Sequence, residues 1–214
     1  MVRNNSEEIM MMGNKILRRV LILLLASFFL AAPGRPAAGE SYVRTPADYE
    51  GPFYPVTDQQ DEDNDLIHVT GRTEAAGGDI LNLSGVITNT AGQPRAGITI
   101  EIWQTDPQGR YKHPGDSTPG ERNPNFQYWG RATTGADGTF FFKTLVPGSY
   151  QPRPAHIHYK VWQNGRVILT SQIYFGNFAE KNERSSMTTN IALQTVDLKP
   201  AAKGEFEAFF RIVL

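Results

Sequence analysis

Between residues 79 and 175, hydrophobic and polar positions alternate in short runs separated by turn signals. "ILNLSGVITN" (residues 80–89) alternates and ends in the turn "TAGQPRAG". "ITIEIWQ" (98–104) sets three isoleucines against Thr, Glu and Trp. "FQYWGRATT" (126–134) stops at "GADG", a tight-turn signal leading into "TFFFKTL" (139–145). "AHIHYKVW" and "RVILTSQIYF" flank Asn164-Gly165, the strongest short hairpin signal in the chain. "FEAFFRIVL" reads as a closing strand. A period of two, with no amphipathic helix between residues 80 and 175, predicts an all-β fold: an antiparallel sandwich or barrel. Repeats of 20–50 residues are not evident.

The first 39 residues read differently. Lys15, Arg18 and Arg19 precede the apolar run "VLILLLASFFLAA" (20–32), followed by "PGRPAAGES". A positive stretch, an apolar stretch and a small-residue zone form an export signal, with cleavage expected after Gly39 or Ala38. The apolar run is shorter than the roughly 20 residues of a membrane-spanning helix, so no stable membrane association is expected after cleavage. Arg18-Arg19 fits a twin-arginine route as well as an ordinary one. The expected location is therefore exported, periplasmic or secreted.

Residues 40–78 are polar and turn-rich, with the acidic run "DQQDEDND" (58–65), read as a solvated loop without a function. Residues 79–214 remain as the β-sandwich domain, with the segment 40–78 as its extended lead-in. Together they are long enough for one domain with a full core. Composition narrows the partners. The net charge is −1, and no basic run is interleaved with aromatics, which argues against nucleic acid. With no cysteine there is no disulfide framework and no lipid attachment site.

The densest chemistry lies in "SYQPRPAHIHYKVW" (149–162), where two of the chain's four histidines fall. On a strand, His156 and His158 project from the same face. Two imidazoles alone would suggest zinc, completed by a third histidine, a cysteine or a carboxylate. Cysteine is absent, and His68 and His113 lie in distant loop-like contexts. What lies near is tyrosine: Tyr150, six residues ahead of His156, and Tyr111 in "DPQGRYKH". A phenol ionises near pH 10, about 3 units above neutrality, so a phenolate needs a strong cation. Hard trivalent iron prefers anionic oxygen and accepts imidazole.

These blocks resemble the intradiol ring-cleavage dioxygenases, the family of protocatechuate 3,4-dioxygenase and catechol 1,2-dioxygenase. The resemblance runs from "EGPFYP" through "DNDL", "LSGVITNTAGQPRAGITIEIWQTDPQGRYKH" and "PNFQYWGRATTGADGTFFFKTLVPGSY" to "RPAHIHYKV" and "LTSQIYF". It implies an antiparallel β-sandwich with long loops and little helix. It implies that Tyr111, Tyr150, His156 and His158 bind non-haem Fe(III), Tyr150 leaving when substrate arrives and Tyr111 staying. Arg153 would stabilise charge on the catecholate ring, and Gln172 would stand near the substrate and oxygen pocket. The implied reaction cleaves a catechol with O2 to a cis,cis-muconate-type diacid. Trp103, Phe140 and Phe142 are expected in the core, and "GPFYP" near the site mouth with Tyr54 as a pocket residue. His113 is not a ligand position in the family.

One departure matters: only Gln151 and Pro152 separate Tyr150 from Arg153, where classical protocatechuate enzymes carry a longer insertion. One pocket wall is therefore missing or rebuilt, and the identity of the catechol does not carry over. The helical dimerisation region of the catechol 1,2-dioxygenases is lacking too, so a homo-oligomer is compatible with the sequence but not specified by it. Two other readings stay open at this level: an exported, non-catalytic β-sandwich binding a phenolic or carbohydrate ligand, and a zinc hydrolase using His156 and His158.

Overall fold

Alternation along each strand becomes two stacked sheets in the computed structural model, which describes residues 41–57, 59–176 and 191–214. The export signal expected at residues 1–39 lies outside the described residues. The strands are β1 (Ile80–Thr88), β2 (Thr99–Gln104), β3 (Trp129–Thr133), β4 (Thr139–Leu145), β5 (His156–Gln163), β6 (Arg166–Phe175), β7 (Thr195–Val196), β8 (Lys199–Ala202) and β9 (Glu205–Val213). Among the described residues the one helix is a single 3-10 turn, Ile191–Gln194. One sheet has the order β4-β1-β9-β8 and the other β3-β2-β5-β6-β7.

The all-β sandwich expected from the sequence is the fold. Its pairing is not purely antiparallel, however. β1 and β9 run parallel in full register, Ile80 beside Glu205 through Thr88 beside Val213, and β6 pairs β7 parallel. Parallel neighbours need a long crossover, and here residues 89–204 lie between β1 and β9. The hairpin at Asn164-Gly165 forms as expected, both residues having positive φ (50° and 73°), the requirement of a type I′ turn. The third strand is shorter than its hydrophobic run. Tyr128 turns out of line at φ 65°, its hydroxyl donating to Asp106 Oδ2 (3.0 Å) and accepting from Asn123 N–H (2.7 Å).

The core fills the space between the sheets. Leu81, Leu83, Phe140, Phe142, Phe210 and Ile212 from one sheet meet Ile100, Ile102, Ile157, Tyr159, Val161 and Ile173 from the other. The acidic run does more than dissolve. Asp63 O accepts from Arg131 N–H (3.0 Å), Asn64 O from Lys143 N–H (2.8 Å), and Leu66 N–H donates to Lys143 O (2.8 Å). Residues 63–66 thus tie the strand edge of β3 to that of β4, two edges that would otherwise present unpaired main-chain groups. The buried side chains of Leu66 and Ile67 plug the gap beneath.

Candidate metal centre

Residues that alternate with the inner face of β2, β3, β5 and β6 form a second buried surface on the outside of the five-stranded sheet. Register aligns Trp129, Trp103, His158 and Gln172 in one row across four strands, and His156 sits beside Tyr174 in the next. His156 and His158 therefore do share a face, and it is the face turned away from the core. Two loops and the segment 48–54 cover it.

The loops carry the two tyrosines. Asp106 Oδ1 accepts from Gln108 and Arg110 N–H (3.0 and 3.1 Å), coiling residues 106–111 tightly. The loop ahead of Tyr150 lies against it: Gly148 N–H donates to Asp106 O (3.0 Å) and Thr105 Oγ1–H to Gly148 O (2.8 Å). Gly109 allows this approach, since at φ 78° a Cβ there would sit 2.2 Å from Ser149 O. Tyr150 and Arg153 then close a four-residue turn around Gln151 and Pro152, main chain to main chain. That short turn brings the second phenol and the arginine to one point.

The result is a converging donor set. His156 Nε2 and His158 Nε2 face each other at 3.0 Å, and Tyr111 Oη lies 3.4 Å from His156 Nε2. The Tyr111 and Tyr150 rings meet edge to face with centroids 5.6 Å apart. His156 Nδ1 donates to Pro154 O at 2.6 Å, which fixes the ring proton on Nδ1 and leaves the Nε2 lone pair for the site. Burial holds both imidazoles neutral, lowering the pKa of His156 to about 3 and that of His158 well below its usual value. Burial likewise raises the Tyr111 phenol well above its ordinary value and raises that of Tyr150, which Arg153 partly opposes. Without a cation, these phenols stay protonated. No cluster of three or more His, Cys, Asp or Glu forms among the described residues. The residues able to hold a metal are thus two neutral imidazoles and two phenols, a set that fits a hard, highly charged ion.

Arg153 and Gln172, both singled out from sequence, are bonded to each other. Arg153 Nη2 donates to Gln172 Oε1 and, at 3.2 Å, to Tyr174 Oη. Tyr174 Oη–H donates to Asp48 Oδ2 (3.0 Å), and Gln172 Nε2 to Tyr49 O (2.8 Å). Tyr174 and Asp48 escaped the sequence reading. For Tyr174 the signal was there, because it lies two residues after Gln172 and so on the same face.

Trp103 corrects an expectation. It is buried, but on the outer face, its indole stacked on His158 (centroids 4.9 Å, planes 8° apart) and grouped with Tyr111 and Trp129. Phe140 and Phe142 lie in the core as expected. The "GPFYP" segment roofs the site. Phe53 packs on Tyr111 (4.8 Å) and Tyr150 (6.1 Å), and Tyr54 stands edge-on to Trp103 (5.0 Å). Tyr54 Oη–H donates to Glu101 Oε2 (2.9 Å), while Lys160 Nζ lies 3.4 Å from the Tyr54 ring centre and pairs with Glu50 (3.0 Å). His113 stands edge-on to Phe53 at the periphery, outside the donor set.

Two imidazoles on a covered face of the β-sandwich and two phenols on the loops above it thus form one converging set of nitrogen and phenol-oxygen donors. Comparison with known proteins gives that arrangement its family. The sequence pattern of the family described as Dioxygenase matches residues 49–182. The protocatechuate 3,4-dioxygenase beta chain of Burkholderia cepacia is 31% identical over 137 residues, 60% of this chain and 58% of that one. Catechol 1,2-dioxygenase 1 of Acinetobacter lwoffii is 29% identical over 146 residues, 60% of this chain and 45% of that one. The chain thus spans about half the length of the curated relatives it matches.

Among solved structures, one is the dioxygenase domain of a dioxygenase carbohydrate-binding protein fusion from Streptomyces sp. SirexAA-E. It aligns with TM-score 0.63 and 30% identity, over 80% of this chain and 98% of that one. The intradiol ring-cleavage dioxygenase from Tetranychus urticae shares the fold, with TM-score 0.62, 23% identity and coverage of 80% and 94%. The chain belongs to the intradiol ring-cleavage dioxygenase family.

Proposed function

We propose that this protein is an exported Fe(III) dioxygenase that opens a catechol-type ring between its two hydroxyl-bearing carbons, adding both atoms of O2 to give a cis,cis-muconate-type diacid. The observation that carries the reading is the convergence of His156, His158, Tyr111 and Tyr150. Ferric iron, when bound, supplies the Lewis acidity that ionises the phenols and drains electron density from a chelated catecholate.

The chain's own groups supply the rest. His156 and His158 present neutral nitrogen, their orientation set by Pro154 O and by the Trp103 stack. Tyr150 is half-buried on a short turn and would be the phenol that gives way to substrate and takes up a catechol proton. Arg153, anchored by Gln172 and Tyr174, brings a fixed positive charge to the site, where it would stabilise the negative charge developing on a bound ring. Phe53 and Trp103 keep water from the reacting face. The basic, apolar and small-residue stretches of residues 1–39 support export.

The test is the iron content and visible spectrum of the purified mature chain before and after anaerobic catechol. A red-brown tyrosinate band that moves on adding catechol is expected, followed by diacid formation once air is admitted. A protein that stays colourless after reconstitution with Fe(III) would sink the reading and favour a non-catalytic sandwich. A colourless protein that instead takes up zinc and hydrolyses an ester would make it a hydrolase.

A further inference from the structure

Tyr111 and Tyr150 meet in one site, but the chain grips them differently. Residues 111–122 are wound around a single guanidinium. Arg122 Nε donates to Tyr111 O (2.9 Å), Nη1 to the carbonyls of Thr118 and Gly120 (3.0 Å each), and Nη2 to Asp116 O (2.8 Å) and Asp116 Oδ2 (3.1 Å). All five guanidinium N–H donors are used. The carboxylate of Asp116, only 4% exposed, accepts Tyr111 N–H at Oδ2 (2.7 Å) and Thr118 N–H at Oδ1 (2.9 Å). Asp116 N–H in turn donates to His113 O (3.1 Å). Both main-chain polar groups of Tyr111 therefore end on one ion pair. Tyr150, by contrast, is held through the main chain of Arg153 across a turn whose two middle residues, Gln151 and Pro152, are exposed.

We propose that Asp116 and Arg122 are positioning residues, which lock Tyr111 as the stationary phenol and so leave Tyr150 as the phenol that can swing out. The inference rests on the ferric reading above, because only with a metal does the difference between the two phenols become chemistry. Charge alone does not make the lock. A lysine at position 122 has three donors on one point and no planar fork, so it cannot reach five acceptors spread over residues 111–120.

The experiment compares the full mature chain with Arg122→Lys, Asp116→Asn and, as a control on the opposite sheet, Thr139→Ala. Amide hydrogen exchange of the metal-free proteins comes first. In Arg122→Lys and Asp116→Asn the Tyr111 amide is expected to exchange roughly tenfold faster or more, as loss of a buried charged hydrogen bond implies, while Trp103 and Ile157 stay protected. The second readout is the tyrosinate band in a Tyr150→Phe background, where colour reports Tyr111 alone. Adding Arg122→Lys should weaken and shift that band and increase its further loss on catechol addition; adding Thr139→Ala should not.

Unchanged Tyr111 exchange, or a band indifferent to Arg122→Lys, would overturn the lock. A global rise in exchange, with Trp103 and Ile157 exposed equally, would also overturn it, making Arg122 a general structural residue. Failure of the unsubstituted chain to bind Fe(III) is a different result: it removes the ferric reading and the inference with it.

Discussion

The two faces of the five-stranded sheet are built from alternate residues of the same strands, and both are buried, yet they differ in kind. The inner face is aliphatic and aromatic: Ile100, Ile102, Ile157, Tyr159 and Ile173. The outer face holds Glu101, Trp103, His156, His158, Lys160 and Gln172, all below a tenth exposed. Burial alone therefore does not separate core from site in this protein. What marks the site within the outer face is whether its polar atoms find charge-complementary partners there or in the covering segment. Glu101 takes Arg131 Nε (2.8 Å) and Tyr54 Oη–H (2.9 Å), and Lys160 takes Glu50. The imidazole Nε2 atoms find chiefly one another and Tyr111.

Substitutions on the two faces should fail in different ways. The largest effect belongs to the outer face. His158→Ala is expected to abolish the tyrosinate band and ring cleavage while the far-ultraviolet spectrum of the sandwich persists. Retained colour at full iron content would mean that His158 is not a ligand and would erase the distinction between the faces. Next comes the inner face: Ile102→Ala should cost about 2–5 kcal/mol in denaturant unfolding, as a filled core position becomes a cavity. The band position per folded molecule should not move, and a shifted band would show that packing across the sheet sets the ligand geometry.

A smaller loss is expected from Glu101→Gln. It breaks a charged pair whose carboxylate is fully buried but whose Arg131 is 40% exposed and can recover water. About 1–3 kcal/mol is the scale for such a bond, read by chemical denaturation. The accompanying loosening of Tyr54 should raise the KM for catechol more than it lowers kcat. A reversed split would place Glu101 in the chemistry rather than under the roof.

What could be read from the chain follows the range of the physics. The Asn164-Gly165 hairpin, the alternation and the His156/His158 pair are all local, so they were legible; so were Tyr111, Tyr150, Arg153 and Gln172, through the motifs that carry the family resemblance. The parallel partnership of β1 with β9 was not, because strand pairing across more than a hundred residues leaves no local mark. Trp103 was misjudged because a large buried aromatic looks the same on either face. The alternation in "ITIEIWQ" already set it opposite the isoleucines, and its register beside His158 confirms that side. Asp48, Asp116 and Arg122 act through loop hydrogen bonds, and loops have no periodicity to betray a partner.

The finest distinction is between backbone strain and contact with the site, and two glycines isolate it. Gly51 has φ +73°, and a Cβ there would lie 3.1 Å from His158 Cε1; Gly71 has φ +82° with nothing within 4 Å. Alanine at either position meets the left-handed penalty of about 1–2 kcal/mol, so both variants should melt lower by similar amounts. Only Gly51→Ala also presses on His158, which cannot retreat because Trp103 stacks on its ring. The residue must then lift the 48–54 segment or tilt the imidazole. A shifted tyrosinate band and weaker catechol binding in Gly51→Ala, absent in Gly71→Ala, would establish that this segment sets ligand geometry as well as covering it. Matching behaviour in both spectrum and affinity would reduce Gly51 to a turn residue and the roof to a passive cover.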